Sequence, residues 1–435
     1  MNARYAALRV LEGVLVKRRS LTTARLLLNE IPLPARQRAL AMELVNGVLR
    51  WRFRYDALLA RLLSKPLRKK DYDLQLVLLI ALHELNELST PDYAIVHEAA
   101  SQAQRLGKKW ATGLINGVLR SYLRDREQLA SSIDEDPVAR FAHPQWLIDR
   151  LQQDWPEQFD QVLRANNQRP PLWLRVNLSK ISVDDYLQQL GSHQMTAVRH
   201  SHALAALRLD TPMDVGQIPG FVDGLVSVQD AAAQMAAQLL APKNDERVLD
   251  LCAAPGGKTC HLLELAGTIE LMAVELNPIR MQQVQQNIER LNLQAQLIVA
   301  DATDTQSWWD GRSFDRILVD APCSASGVIR RHPDIKSLRQ AGDLVELTEI
   351  QQQILQQAWC MLKPGGTLVY ATCSVLKMEN EQQIESLLRS NVDVEEVMID
   401  PNWGVACRYG RQLLPGTEDS DGFYYALLKK MERRH

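Results

Sequence analysis

Val248-Leu-Asp-Leu-Cys-Ala-Ala-Pro-Gly-Gly-Lys-Thr259 is a short apolar run that breaks into a glycine-containing loop and then into a helical pattern. Adjacent glycines let the backbone approach a ligand closely, and free N–H groups at the start of the next helix favour a polar or anionic one. The stretch is not a phosphate-binding P-loop. Gly257-Lys-Thr259 fits the end of G-x-x-x-x-G-K-[ST], but the required first glycine falls on Cys252. A G-x-G-x-x-G dinucleotide loop is absent as well. Further apolar runs follow at Leu271–Val274, Leu297–Val299, Ile317–Val319 and Thr367–Tyr370, with helical stretches such as Arg280–Leu291 and Leu344–Leu362 among them. That alternation predicts an open, mostly parallel α/β sheet, which binds ligands at the carboxyl ends of its strands.

Three acidic residues close successive runs: Glu275, Asp301 and Asp320. Singly, such residues are helix caps or turn formers. Three in succession beside a Gly-Gly loop outline a nucleoside-type pocket, with Glu275 placed to accept hydrogen bonds from ribose hydroxyls. Asp320-Ala-Pro-Cys-Ser-Ala-Ser-Gly327 follows the fourth run and Ala371-Thr-Cys-Ser374 the next, which brings Cys323 and Cys373 to one sheet edge. Most cysteines are small buried hydrophobes, the reading for Cys252, Cys260, Cys360 and Cys407. Two thiols beside a carboxylate and a nucleoside pocket suit a sharper chemistry, methylation of cytosine at C5. A thiolate adding to C6 turns the C5–C6 unit into an enamine, and C5 then attacks an electrophilic methyl group. A carboxyl near N3 and the exocyclic amine orients the base. The base must be flipped out or already single-stranded, because stacking shields C6.

The 435-residue length predicts two or three domains. Residues 1–137 read as an all-helical bundle with Leu74–Leu88 at its centre, 138–235 as a small α+β module, and 236–435 as the α/β domain. Ser131–Pro137 has the polar, proline-ended character of a linker. The first 130 residues hold 22 Lys+Arg against 12 Asp+Glu, while the whole chain has a net charge of −2. A basic helical end beside an acidic remainder points to an anionic partner, nucleic acid ahead of membrane; solvated helix faces give the same bias. Lys17, Arg18, Arg19, Arg50, Arg52, Arg54, Lys69 and Lys70 are its candidate contacts. Arg330, Arg331, His332 and Lys336, close behind Cys323, are candidate phosphate contacts at the crevice. His261 reads as packing or capping. Six cysteines without a C-x-x-C pair make neither a disulfide framework nor a zinc site. No apolar run approaches bilayer length, and the basic amphipathic start, interrupted by Glu12, reads as a structural helix, so a cytoplasmic protein is expected.

On the segments Leu249–Thr259, Asp320–Lys336 and Tyr370–Val375, nearly the whole chain resembles the NOL/NOP/Sun family of RNA cytosine-C5 methyltransferases, which use S-adenosylmethionine. The resemblance implies a NusB-like RNA-binding domain, an RRM-like module and a Rossmann-like methyltransferase domain. It implies that Cys252, Ala253, Ala254, Pro255, Gly256, Gly257 and Lys258 surround the methionine part of the cofactor. Glu275 would hold the ribose, Asp301 would lie near the adenine, and Asp320 would sit between cofactor and cytosine. It makes Cys373 of the T-C-S motif the nucleophile and Cys323 the residue that assists product release; spacing alone does not say which thiol attacks. Glu275 stands where the family often has Asp, with the carboxylate kept. No metal is implied. The implied substrate is 16S rRNA or a small-subunit assembly intermediate, at cytosine 967, acted on by a monomer with no obligate protein partner. The same reaction on another RNA such as tRNA, and an RNA-binding or assembly factor with a vestigial catalytic half, are the alternatives. DNA cytosine methylation is disfavoured by the T-C-S motif, and amino-group methylation by Asp320-Ala-Pro-Cys323.

Overall fold

The computed structural model describes residues 2–400 and 402–432, in two compact units. The first unit, Met1–Gln168 with Ile329–Ala341, is helical. Its central helix, Tyr72–Glu87, buries Leu74, Leu76–Leu82 and Leu85, as a run apolar on every face requires. Around it pack Ala3–Leu15, Ala35–Leu62, Asp92–Arg105 and Thr112–Ile133. The linker expected at Ser131–Pro137 is instead a helix junction. Residues 131–133 finish the helix Thr112–Ile133, and Asp136 caps Pro137–Phe141 by accepting from Val138 N at 2.9 Å. Ile133 and Ala139 join the same core. The acidic, proline-ended composition is thus capping chemistry, and the helical unit runs past residue 137 through Gln145–Asp154 and Phe159–Asn166.

Ile329–Ala341 is built into this unit far from it in sequence. Lys336 is 1% exposed, and its Nζ donates to Arg50 O at 2.5 Å, Ala142 O at 2.8 Å and Asn167 Oδ1 at 2.8 Å. Asp334 accepts from Leu21 N at 2.8 Å, Arg18 donates to the carbonyls of Ser337 and Leu338, and Arg50 donates to Arg330 O. This packing corrects the expectation of phosphate contacts at Arg330 and Lys336. Arg330 is also 1% exposed, and an ammonium whose three donors are spent on internal oxygens has none left for a phosphate. Arg331 is half-buried and His332 exposed.

The second unit, Arg169–Val328 with Gly342–His435, contains two sheets. The smaller one comprises β1 (Leu172–Val176), β2 (Ala197–Arg199), β3 (Ala206–Leu209) and β4 (Val226–Val228), all antiparallel, in the order β2-β3-β1-β4. Leu174, Val176, Leu207 and Val226 form its core with Tyr186 and Leu190 of the helix Val183–Ser192. The larger sheet holds β5 (Arg247–Leu251), β6 (Glu270–Glu275), β7 (Gln296–Val299), β8 (Phe314–Asp320), β9 (Leu362–Thr372), β10 (Val394–Val397), β11 (Val405–Ala406), β12 (Arg411–Leu413) and β13 (Phe423–Lys430). Its order is β11-β12-β13-β9-β8-β5-β6-β7, with β10 also on β13. The five sequence-predicted runs fall on β5–β9, which pair in parallel; β10–β13 add an antiparallel end. The chain goes outward from β5 to β7 and then returns to the other side of β5 for β8. That switch opens a crevice at the carboxyl ends of β5 and β8. Among the described residues no helix is long and apolar enough to cross a membrane.

Lys336→Ala leaves three buried oxygens without their donor, each costing about 1–3 kcal/mol. The helical unit is expected to lose several kcal/mol of stability, read by denaturant unfolding. A midpoint equal to wild type would show that the ammonium is not a structural pin.

Candidate active site

β8 and β9 pair in parallel with Asp320 opposite Ala371, so the loops that leave them run side by side. Ala321 N donates to Ala371 O and Gly327 N to Cys373 O, each at 2.9 Å. The two sequence-predicted thiols are thereby brought together, with Cys323 Sγ and Cys373 Sγ 3.4 Å apart. Cys323 is buried and Cys373 half-buried. The contact with Cys373, followed by burial and the charge of Glu379, holds the Cys323 thiol well above its ordinary pKa. At Gly327 only glycine fits, because an added Cβ would stand 2.2 Å from the carbonyl oxygen of Gly422.

A buried carboxylate absent from the sequence reading clamps the two loops. Glu379 Oε1 accepts from Ser324 N at 2.7 Å and from Gln351 Nε2 at 3.1 Å. Its Oε2 accepts from Ser324 Oγ at 2.6 Å and Ser374 Oγ at 2.5 Å. Each serine directly follows one of the two cysteines. Asn380 fixes the β9 side of this clamp, accepting from Thr372 Oγ1 and donating to Ser374 O. The sequence did hold a signal: two hydroxyls placed beside two strand-end thiols need a shared acceptor once buried.

The Gly-Gly loop leaves β5 at the crevice. Gly256 has φ +96°, and a Cβ there would meet the Val284 backbone at 3.0 Å, so the loop presses against the helix Pro278–Leu291. Ala253 and Ala254 are buried, Pro255 is exposed, and Cys252, Gly257 and Lys258 are half-buried. Burial pushes the Cys252 thiol up, consistent with packing, and His261 is likewise buried. Glu275, buried at the end of β6, accepts from Ala254 N at 3.3 Å and Asn277 N at 3.0 Å, with Arg280 Nη1 at 3.5 Å. Exposed Asp301 accepts from Thr303 N and Oγ1, both at 2.8 Å. Asp320 pairs with Lys258 at 2.7 Å, and Lys258 Nζ lies 4.9 Å from the centre of the Phe423 ring. Below the loop, Asp250 is fully buried, accepts from Thr259 Oγ1 at 2.6 Å, and leaves Oδ1 without a partner. Burial raises its pKa to about 7. Arg175 of β1, also missed in sequence, donates to Gly257 O at 2.6 Å and to both oxygens of Glu264 at 2.9 and 2.7 Å. Among the described residues no group of three His, Cys, Asp or Glu is arranged to hold a metal ion.

Three family profiles match the chain: 16S rRNA methyltransferase RsmB/F over residues 237–429, the ferredoxin-like domain of RsmF/B-like methyltransferases over 143–216, and the NusB family over 1–124. The ribosomal RNA small subunit methyltransferase B of Vibrio vulnificus is 44% identical over 99% of this chain and 100% of its own length. That of Pseudomonas putida is 45% identical over 99% of each chain. Among solved structures, a methyltransferase homologue from Pyrococcus horikoshii is 30% identical, with a TM-score of 0.61 over 68% of this chain and 98% of its own. The structure of PH0851 has a TM-score of 0.81 over 99% of each chain at 22% identity, a likeness of fold.

Two outcomes are expected from the site's buried carboxylates. Asp250 has a folded pKa above its unfolded one, so its ionisation costs the folded state progressively between pH 3.8 and about 7. Raising the pH across that window should therefore destabilise wild type relative to Asp250→Asn, by on the order of 4 kcal/mol. Parallel stability–pH curves for the two proteins would remove the assignment. Glu379→Ala should let the two loops drift apart. Diamide takes two electrons and two protons from the thiol pair as the Cys323–Cys373 disulfide forms, so its rate reads the sulfur spacing. We expect that rate to fall in Glu379→Ala and to stay near wild type in Glu379→Gln, with equal rates in all three denying the clamp.

Proposed function

The chain belongs to the RsmB/F family of 16S rRNA methyltransferases, and on that premise we propose that it methylates C5 of a cytosine in small-subunit rRNA. By the family resemblance this is cytosine 967. The methyl donor is S-adenosylmethionine, and the reaction passes through a bond between Cys373 Sγ and C6. The observation that carries the proposal is the 3.4 Å approach of two sulfurs at the ends of neighbouring parallel strands, beside a strand-end carboxylate.

The residues around the loop suit the donor. Its sulfonium, ammonium and ribose diol call for carboxylates, and Glu275, Asp301 and Asp320 stand at successive strand ends. Its carboxylate calls for a cation, and Lys258 lies in the loop. Gly256 and Gly257 leave the backbone open to close approach. When bound, the donor supplies an electrophilic methyl carbon.

Cys373 is the half-buried thiol, open to a base entering the crevice. Addition of its sulfur to C6 pushes the C5–C6 π electrons towards C5, which makes C5 the nucleophile. Asp320 orients the base through N3 and the exocyclic amine. After transfer the C5 proton passes to solvent water, the C–H electron pair restores the C5–C6 double bond, and the C6–S bond breaks with its electrons returning to sulfur. Cys323 keeps its proton because its pKa is raised. Its S–H therefore donates a hydrogen bond to the departing Cys373 thiolate, which supports the product-release role.

The test supplies methyl-labelled S-adenosylmethionine with unmodified small-subunit rRNA, tRNA or DNA, and then identifies the labelled nucleoside. 5-Methylcytidine from rRNA alone is expected. Cys373→Ala should abolish transfer, whereas Cys323→Ala should accumulate a protein–RNA adduct that survives denaturing electrophoresis. Activity in Cys373→Ala without an adduct in Cys323→Ala would overturn these roles. Label in tRNA instead would favour the other-RNA reading, and RNA binding with no transfer to free rRNA or to an assembly intermediate would favour the vestigial one.

A further inference from the structure

The freedom that lets Gly256 and Gly257 approach a ligand also lets them turn away from it. Glycine loses more conformational freedom on ordering than any other residue, so a loop with two in succession binds weakly unless its peptide planes are fixed from outside. Three side chains do this, each anchored on an element beyond the loop. Ala254 O accepts from Arg280 Nη2 at 2.9 Å, Pro255 O from Asn287 Nδ2 at 2.9 Å, and Gly257 O from Arg175 Nη1 at 2.6 Å. Arg280 and Asn287 stand on the helix Pro278–Leu291, and Arg175 comes from β1.

A peptide unit is planar, so a carbonyl held on one edge aims the N–H on the other. The Pro255–Gly256 plane is held at both edges, because Gly256 N donates to Ala253 O at 2.8 Å while Asn287 donates to the carbonyl. In the Gly257–Lys258 plane the tie from Arg175 fixes the Lys258 N–H. That N–H belongs to the first turn of the helix Gly257–Leu265, where no acceptor exists within the helix itself. Arg175 grips the same helix a second time. Its Nε and Nη2 donate to the two oxygens of Glu264, and Nη1 also donates to Gln229 Oε1. Arg175 is 1% exposed and Glu264 is buried with it, so this pair works inside the fold. Asn287 is half-buried, and its amide reaches the loop from the neighbouring helix.

We propose that Arg175 and Asn287 are positioning residues for the methyl donor: they order the Gly-Gly loop before anything binds to it, and so set the affinity for S-adenosylmethionine without touching the reacting atoms. The inference rests on the reading of the chain as an S-adenosylmethionine-dependent methyltransferase. Ordering a loop in advance lowers the dissociation constant of whatever the loop holds. It leaves the chemistry at Cys373 and Cys323 as it was, so the two effects separate in kinetics.

The experiment measures S-adenosylhomocysteine binding to the full chain by calorimetry, amide exchange of the loop in the unliganded chain, and steady-state methyl transfer. Asn287→Leu removes the donor to Pro255 O with little change of volume. It should weaken binding roughly 3- to 10-fold, speed exchange of the Gly256 amide, and raise KM for S-adenosylmethionine with kcat and KM for RNA unchanged. Arg175→Met alone would strand the buried Glu264 carboxylate. It is therefore combined with Glu264→Met, since replacing both members of a buried ion pair by apolar side chains is often neutral or stabilising. That double variant should weaken binding roughly 10- to 100-fold at an unchanged unfolding midpoint. Equal binding by wild type and both variants overturns the positioning role and leaves the methyltransferase reading intact. A lower kcat or a higher KM for RNA at unchanged S-adenosylhomocysteine affinity overturns it in favour of a general structural role. A wild-type chain that binds no S-adenosylhomocysteine and transfers no methyl group removes the functional reading, and the inference with it.

Discussion

The site depends on one constraint, the parallel pairing of β8 with β9 in the register that sets Asp320 against Ala371. Neither thiol has a fixed partner without it. Side chains alternate across a strand, so a slip of one residue would turn every β9 side chain to the opposite face and carry the loop beyond it out of line. The register is held from both faces of the sheet by buried Leu318, Val319, Leu368, Val369 and Tyr370. Beyond the strand ends, where pairing stops, Glu379 takes over with four accepted hydrogen bonds from the two loops and Gln351. A buried network of this sort rigidifies only when every member is satisfied. Hydrophobic pairing thus sets the coarse position of the sulfurs, and one carboxylate sets the fine position.

The small antiparallel sheet contributes to the same crevice from outside. Arg175, on β1, reaches Glu264 and the carbonyl of Gly257 with essentially no exposure. A buried guanidinium is tolerable only when its donors are used, and here the donors are used on the helix that opens with Gly257. The small α+β module therefore supports the backbone of the loop.

What the sequence made legible was local. The Gly-Gly loop, the five parallel strands and the two strand-end cysteines each show themselves within a dozen residues, through periodicity or a turn residue. Glu379, Arg175 and Lys336 were not legible in the same way, because each gets its meaning from partners tens to hundreds of residues away. Lys336 makes the point most sharply. Beside Arg330, Arg331 and His332 it reads as part of a basic surface, yet burial reverses its role. Charge can be counted from a sequence, but solvation cannot. The C-terminal strands were obscure for another reason: β11 and β12 have two and three residues, too few to show a period.

The excursion of Ile329–Ala341 into the helical unit makes the catalytic unit discontinuous in the chain. The backbone passes between the units three times, after Gln168, after Val328 and after Ala341. A single proteolytic nick at any one passage splits the chain into two fragments, yet one fragment still carries stretches of both units, so noncovalent packing within the units keeps them joined. The same threading means that the helical unit is encoded in two separated stretches of the gene. Recombination at a single linker therefore moves only part of that unit and leaves the other part behind.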